Sequence, residues 1–131
     1  MDKKIVSTAA FIGMITIILG AFGAHALKKL LLPEQLITFE TGVKYQMYHA
    51  LFLLLIGTTN LIDNQTKKII FYTTLTGILF FSGSIYLLAT RSVTNIDFSF
   101  IGILTPIGGL FLIFGWFLLF YKILTSKSKK M

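Results

Sequence analysis

Two histidines, His25 and His49, are the side chains of this sequence that could support the widest range of chemistry. His25 lies in a stretch of small residues that ends the first long apolar run, and His49 lies in the second run. An imidazole can ligate haem iron, bind a metal ion or relay protons inside a membrane. It can equally be a neutral ring that hydrogen-bonds to the backbone or to a tyrosine hydroxyl. The residue types leave these four interpretations open.

The residues around His49 enlarge the pair to a candidate functional cluster. Tyr45 comes one helical turn before His49, and Gln46 shares its face. Polar side chains in membrane helices usually face protein or trapped water, so this face is expected to turn inward. The third apolar run contributes a serine and a tyrosine. The predicted cluster comprises His25, Tyr45, Gln46, His49, Ser84 and Tyr86.

Catalysis and metal binding have little support in the sequence. The chain has no cysteine, and no third or fourth ligand accompanies the histidines, whereas zinc normally takes four. The five acidic residues all lie outside the apolar runs, so no buried carboxylate pair is available for acid–base chemistry. We therefore predict a non-enzymatic protein without a catalytic residue, a metal site or a cofactor.

The elements that must position these residues are long apolar segments. Of the residues, 55% are hydrophobic and only 13% are charged, whereas soluble domains carry about 25% charged residues. The apolar runs approach the roughly 20 residues that a spanning helix needs, and they do not alternate as barrel strands do. We predict one all-α integral membrane domain, residues 1–131, with four transmembrane helices in an up-down bundle. The predicted spans are residues 5–27, 45–62, 69–90 and 101–122.

A short helix is expected between the first two spans. Pro33 followed by Glu34 is typical of a helix start, because proline fits the first position and an acid complements the helix dipole. Glu40 and Lys44 are placed for an i,i+4 ion pair, and apolar residues occupy another side. The pattern predicts a short amphipathic interfacial helix over residues 33–44, lying on the bilayer before the second span.

Small residues recur at helical spacing in the apolar runs and indicate where helices can approach closely. The fourth run also contains Pro106, which either kinks a helix or begins one with Thr105 as its cap. Both interpretations of Pro106 stay open. The glycines predicted to pack between helices are Gly13, Gly20, Gly23, Gly77, Gly83, Gly108 and Gly109.

The positive charges indicate an orientation. With four crossings, eight lysines lie on the side of the two termini and four basic residues lie on the other. Cytoplasmic segments carry the excess of Lys and Arg, so both termini are expected in the cytoplasm. The net charge of +7 thus flanks the spans and indicates lipid rather than nucleic acid as the partner. A signal peptide is the alternative for the first run, although that run is longer than the usual 7–15 residues. The same topology places His25 and His49 at similar depth near the outer interface, on adjacent antiparallel helices, and Trp116 at the inner interface.

Four motifs in this chain resemble those of a known family. They are residues 20–27 (GAFGAHAL), 39–50 (FETGVKYQMYHA), 81–86 (FSGSIY) and 105–109 (TPIGG). In this order they resemble the small membrane proteins grouped as domain of unknown function 423, which include eukaryotic transmembrane protein 256. The resemblance covers nearly the whole chain and implies a multi-span protein of the bacterial plasma membrane. It implies no activity, substrate, cofactor or catalytic residue.

We expect a non-enzymatic structural or interaction protein that forms homo-oligomers through its glycine-rich faces. The alternatives are a small transporter or channel for protons or a small solute, favoured by the polar face of the second span, and a haem-binding redox protein. A small-molecule ligand is left unspecified by the sequence.

Overall fold

A computed structural model describes residues 1–90 and 99–126, which form four α-helices and two short 3₁₀ segments. The helices, numbered in chain order, are α1 (Asp2–His25), α2 (Pro33–Thr58), α3 (Asn64–Ala89) and α4 (Leu104–Thr125). The 3₁₀ segments are Leu27–Lys29 and Ser99–Ile103. The all-α prediction is therefore confirmed. Residues 91–98, between the predicted third and fourth spans, and residues 127–131 lie outside the described residues.

The second helix is longer than the sequence pattern predicts. Pro33 occupies its first turn, and the side chain of Gln35 accepts a hydrogen bond of 3.1 Å from the backbone N–H of Leu32. From there α2 runs without a break to Thr58. The predicted interfacial segment and the predicted second span are thus parts of one helix, and a separate interfacial helix is not confirmed.

The last two helices begin differently. Asp63 caps α3 by accepting a 3.3 Å hydrogen bond from the N–H of Thr66, and hydrogen bonding by Thr66 lowers the pKa of this exposed carboxyl. Pro106 lies in the first turn of α4, where its missing N–H costs no intrahelical bond. Pro106 therefore belongs to a helix start and not to a mid-helix kink, although the helix begins at Leu104 and Thr105 does not cap it.

Consecutive helices run antiparallel and are neighbours in space. Gly57 near the end of α2 packs against Ile5 at the start of α1, and Gly23 packs against Phe39 at the opposite end of the same pair. The side chain of Ser82 in α3 donates to the carbonyl of Gly42 in α2 over 2.8 Å. These contacts join α1 to α2 and α2 to α3 along most of their length.

The tightest seam lies between α3 and α4. A Cβ added at Gly108 would overlap the backbone nitrogen of Phe81, and one at Gly77 would lie 2.7 Å from Leu112. One turn further, Gly115 faces the side chain of Thr74, whose hydroxyl is fully buried and has no hydrogen-bond partner among the described residues. Without side chains at these glycines the two backbones can approach closely, as helices do in lipid.

The seven glycines predicted to pack differ in their surroundings. Gly23, Gly77 and Gly108 have no room for a Cβ, whereas Gly20 and Gly109 make ordinary contacts at 3.5 and 3.7 Å. Gly13 has no atom within 4 Å of an added Cβ, and Gly83 meets only Leu79 of its own helix at 4.0 Å. Three other glycines, Gly42, Gly57 and Gly115, lie at close helix contacts that the spacing did not predict.

Polar side chains tie the start of α1 to the start of α3. Asp2 pairs with Lys67 at 3.1 Å, and the side chain of Lys67 is only 4% exposed. The ammonium of Lys4 donates to the hydroxyl of Tyr72 at 2.6 Å. A buried cation needs such a partner, so the ion pair compensates the desolvation of Lys67.

Three segments of the described chain are long and apolar enough to cross a membrane: Asp2–Lys29, Asn64–Ala89 and Ile101–Thr125. Helix α2 has 26 residues, about 39 Å at 1.5 Å per residue, which is sufficient length. The polar residues Lys44, Gln46 and His49 lower the mean hydropathy of α2 below that of α1, α3 and α4. Composition therefore identifies three spans, and the role of α2 depends on how it packs.

Candidate functional site

Helix α2 carries three residues of the predicted cluster on its packed side. Gln46 and His49 are buried, with 6% and 5% of their surface exposed, and Tyr45 is partly exposed. The hydroxyl of Tyr86 in α3 donates to the side-chain oxygen of Gln46 at 2.6 Å. The structure thus brings Gln46 and Tyr86 together.

His49 is held by two hydrogen bonds. Its Nδ1 lies 2.7 Å from the carbonyl oxygen of Tyr45, one turn earlier in α2. Its Nε2 lies 3.0 Å from the indole nitrogen of Trp116 in α4. A carbonyl only accepts and an indole N–H only donates, so Nδ1 carries the proton and Nε2 accepts. These partners define a neutral imidazole in a single tautomer.

The rings around His49 form a small aromatic cluster. Trp116 packs against Phe52 with ring centroids 4.1 Å apart, and its ring meets that of His49 edge-on at 6.1 Å. Phe52 is buried in the main hydrophobic core, together with Ile5 and Ile70 from the neighbouring helices. The hydrogen bond between His49 and Trp116 is therefore surrounded by apolar side chains, where a hydrogen bond is stronger than in water.

Ser84 belongs to a second contact, between α3 and α4. Its hydroxyl lies 2.5 Å from that of Thr105, in the first turn of α4. Ser84 is buried, and its hydroxyl bonds within α3 and to α4 and not to His49. The predicted cluster is accordingly divided into three separate hydrogen-bonded pairs: His49 with Trp116, Gln46 with Tyr86, and Ser84 with Thr105.

His25 does not join the cluster. It is exposed at the last residue of α1, and it has no hydrogen bond with another described residue. Because Gly20 faces Val43 and Gly57 faces Val6, His49 is level with Met14 and not with His25. At 1.5 Å per residue the two imidazoles differ in depth by about 17 Å. The expectation that they lie at similar depth is therefore wrong.

Trp116 is the site residue that sequence reasoning misplaced. Its expected position was the inner interface, but it lies in the middle of α4 and hydrogen-bonds to His49. Tryptophan in membrane helices favours the ends. A tryptophan well inside a long apolar run, as Trp116 is, could therefore have indicated a buried polar partner for its N–H. Nothing in the pattern indicated which face of α2 it would meet.

A groove opens beside this pair. It has a volume of about 310 Å³ and is lined by Tyr45, His49, Phe81, Gly109, Leu112, Ile113 and Trp116. Ile113 is 64% exposed, so the groove opens on the outer surface of the helices. The groove is at the depth of His49, which is about halfway along α1 and α3.

The geometry argues against haem or metal ligation by the two histidines. Both nitrogens of His49 already have partners, and His25 is too far along the bundle to complete a site with it. Among residues 1–90 and 99–126, no group of three or more His, Cys, Asp or Glu side chains could hold a metal ion. The arrangement joins helices instead.

Comparisons with known proteins identify the family. A family model described as "Protein of unknown function (DUF423)" matches residues 19–109. This chain belongs to the DUF423 family. The matched region contains the whole predicted cluster and both residues of the Ser84–Thr105 contact. The resemblance drawn from the four motifs is confirmed.

Relatives of this DUF423 chain are bacterial membrane proteins. A "UPF0382 membrane protein" of Haemophilus influenzae is 37% identical over 98% of this chain and 99% of its own length. The "UPF0382 membrane protein SSP2132" of Staphylococcus saprophyticus is 40% identical over 89% and 93%. The "UPF0382 inner membrane protein YgdD" of Escherichia coli is 32% identical over 92% and 89%. No solved structure matches the chain. The protein is thus a helical membrane protein of a family whose names state no activity.

Proposed function

We propose that this DUF423 protein is a non-enzymatic structural or interaction component of the bacterial plasma membrane, crossing it four times as an up-down helical bundle. The observation that carries the proposal is that both nitrogens of His49, the one imidazole buried among the described residues, are occupied by the Tyr45 carbonyl and the Trp116 indole. A proton relay through His49 needs a partner at each nitrogen that can take or give up a proton, and a ligand bound directly by His49 needs a free nitrogen. A backbone carbonyl and an indole N–H meet neither requirement. This histidine instead connects α2 to α4.

The packing of α2 supports a fourth crossing. It contacts α1 near both ends, through Gly57 against Ile5 and through Gly23 against Phe39. An antiparallel helix that follows a spanning helix over this length must lie at the same depths in the bilayer. Its polar side chains then need partners, and Gln46 and His49 both have them.

The charge distribution supports cytoplasmic termini. With four crossings, the described lysines near the ends of α1 and α4 and the start of α3 lie on one side: Lys3, Lys4, Lys67, Lys68 and Lys122. Three further lysines follow in the tail by sequence. The linker between α1 and α2 contributes Lys28 and Lys29 to the other side, so the positive-inside rule favours termini in the cytoplasm.

A transporter is less well supported. The acids of the described chain are at helix ends or near them, so no carboxylate is available at mid-membrane for ion coupling. Pro106 begins a helix and does not break one, which removes the discontinuous helix that the sequence allowed. Of the eight buried polar side chains in the described chain, five link two helices: Gln46, His49, Lys67, Ser82 and Ser84.

Self-association is the interaction that we propose, and α1 is the helix best suited to it. Most glycines of the described helices pack against a neighbouring helix of the same molecule, which their missing side chains allow to approach. Gly13 is different: it leaves open space next to Ala10, which is exposed. In lipid, a helix surface with small residues lets a second backbone approach. We therefore expect α1 of one copy to meet α1 of another.

Disulfide trapping tests this proposal, because the native chain contains no cysteine. We expect Ala10→Cys in membranes to form a dimer under mild oxidation, and we expect Gly13→Leu in the same chain to abolish that dimer. The control is Leu79→Cys on α3, where the native side chain is 67% exposed to the surroundings of the protein. Dimers of equal yield from both positions would indicate random collision. No dimer from Ala10→Cys would contradict self-association through α1.

A further inference from the structure

The groove beside His49 has features that suit a particular kind of ligand. It lies at mid-depth along the helices and opens on the surface that faces lipid, as the exposure of Ile113 indicates. Any occupant therefore enters from the bilayer and must be lipid-soluble. A ligand with a net charge would meet no counter-charge in the groove, since its lining residues are uncharged and His49 is neutral.

The walls of the groove favour a flat ring over a simple acyl chain. Tyr45 and Phe81 lie on one side with their ring centroids 5.1 Å apart, and Trp116 lies on another. Aromatic side chains gain from offset or edge-on contact with a second ring, beyond the area that they bury. Gly109 lines the groove and has no side chain to fill it. An added Cβ there would lie an ordinary 3.7 Å from the ring of Phe81.

One of the residues that line the groove, Tyr45, carries a hydrogen-bond donor without a partner in the described chain. The hydroxyl of Tyr45 makes no hydrogen bond to any residue of the described chain, although its backbone carbonyl is bonded to His49. An unsatisfied hydroxyl within hydrocarbon is costly, and a ligand that accepts from it removes that cost. The complementary group on the ligand is a carbonyl oxygen.

We propose that this groove, which includes Tyr45, Phe81, Gly109 and Trp116, binds the ring of a lipid-soluble quinone. A quinone combines the required properties: a flat conjugated ring, carbonyl acceptors, no charge and an apolar tail that stays in the bilayer. The site is independent of self-association through α1, so either proposal can fail without the other.

Fluorescence provides a direct test, because Trp116 is the only tryptophan in the chain and lines the groove. The purified protein is titrated in detergent with 2-methyl-1,4-naphthoquinone. We expect saturable quenching of Trp116 that approaches one quinone per chain. Tyr45→Phe is expected to weaken the saturable phase at least tenfold, because it removes the donor while keeping the ring.

Two variants fill the groove without touching the tight seam. Gly109→Leu and Ile113→Phe should each abolish saturable quenching, whereas Gly109→Ala should retain it and shows that the fold tolerates substitution there. Quenching that rises linearly and equally in every variant would mean that the quinone only partitions into detergent. Saturable quenching that survives both filling variants would place the ligand elsewhere. Either result overturns the proposal.

Discussion

Replacing Gly108 with alanine should destabilise the protein more than any other single methyl addition. The new Cβ would overlap the backbone nitrogen of Phe81 and lie 2.8 Å from the carbonyl carbon of Phe80. Backbone atoms cannot rotate away as a side chain can, so α3 and α4 must separate. Overpacking of this kind costs about 1–3 kcal/mol or more, and the upper end is expected here. The measurement is reversible unfolding in mixed detergent micelles.

The neighbouring glycine is a matched control for this prediction. At Gly109 an added Cβ would meet only the ring of Phe81, at an ordinary 3.7 Å. Gly109→Ala should therefore change the free energy of unfolding by less than about 0.5 kcal/mol, as substitutions away from packed features usually do. Equal losses at Gly108 and Gly109 would contradict the description of the seam between α3 and α4.

Removing the hydrogen bond between His49 and Trp116 should give the second largest effect. His49→Phe keeps a ring but leaves the indole N–H of Trp116 without its acceptor, which lies at 3.0 Å. Losing one partner of a buried hydrogen bond costs about 1–3 kcal/mol. Trp116→Phe should cost a similar amount, because it leaves Nε2 of His49 without a donor.

A double-mutant cycle distinguishes this bond from general packing. If the two residues act on stability through their shared bond, His49→Phe and Trp116→Phe together should cost less than the sum of the two single losses. The coupling energy expected is about 1 kcal/mol, in the range found for hydrogen bonds between membrane helices. Additive losses would mean that the two side chains contribute independently and that the bond does not connect α2 to α4.

The helices were the easiest part of the structure to predict from sequence. Charged residues interrupt the chain at three places, and the four apolar runs that they separate are too long and too uniform for strands. The ends of the helices were harder to predict, because a helix can continue beyond the residues that lie inside the bilayer. Residues 33–44 have an amphipathic pattern that suits a surface helix, yet no residue between Pro33 and His49 ends the helix.

That continuity explains the misplaced histidine. If the second span began near residue 45, His49 would lie close to the outer interface and therefore near His25. Since α2 begins at Pro33, His49 lies about 24 Å along the helix at 1.5 Å per residue. The residue types of the cluster were informative, but its depth depended on where one helix begins.

Close helix contacts were only partly predictable for a similar reason. Helical spacing shows which glycines share a face, but it does not show which face meets a neighbour. Gly57 packs against Ile5 and Val6 only because α1 and α2 are antiparallel in one particular register. Gly13 has the same spacing as its neighbours in α1, yet an added Cβ there would have no atom of the described residues within 4 Å.

We infer that α2 crosses the membrane and carries His49 into the bilayer. Lys29 lies before α2 and Asn60 after it, and both are exposed. A single cysteine at each position tests the inference directly, because the native sequence contains no cysteine. A membrane-impermeant thiol reagent should label Lys29→Cys in intact bacterial cells and Asn60→Cys only after the cells are opened. Labelling of both positions from the same side would contradict the claim.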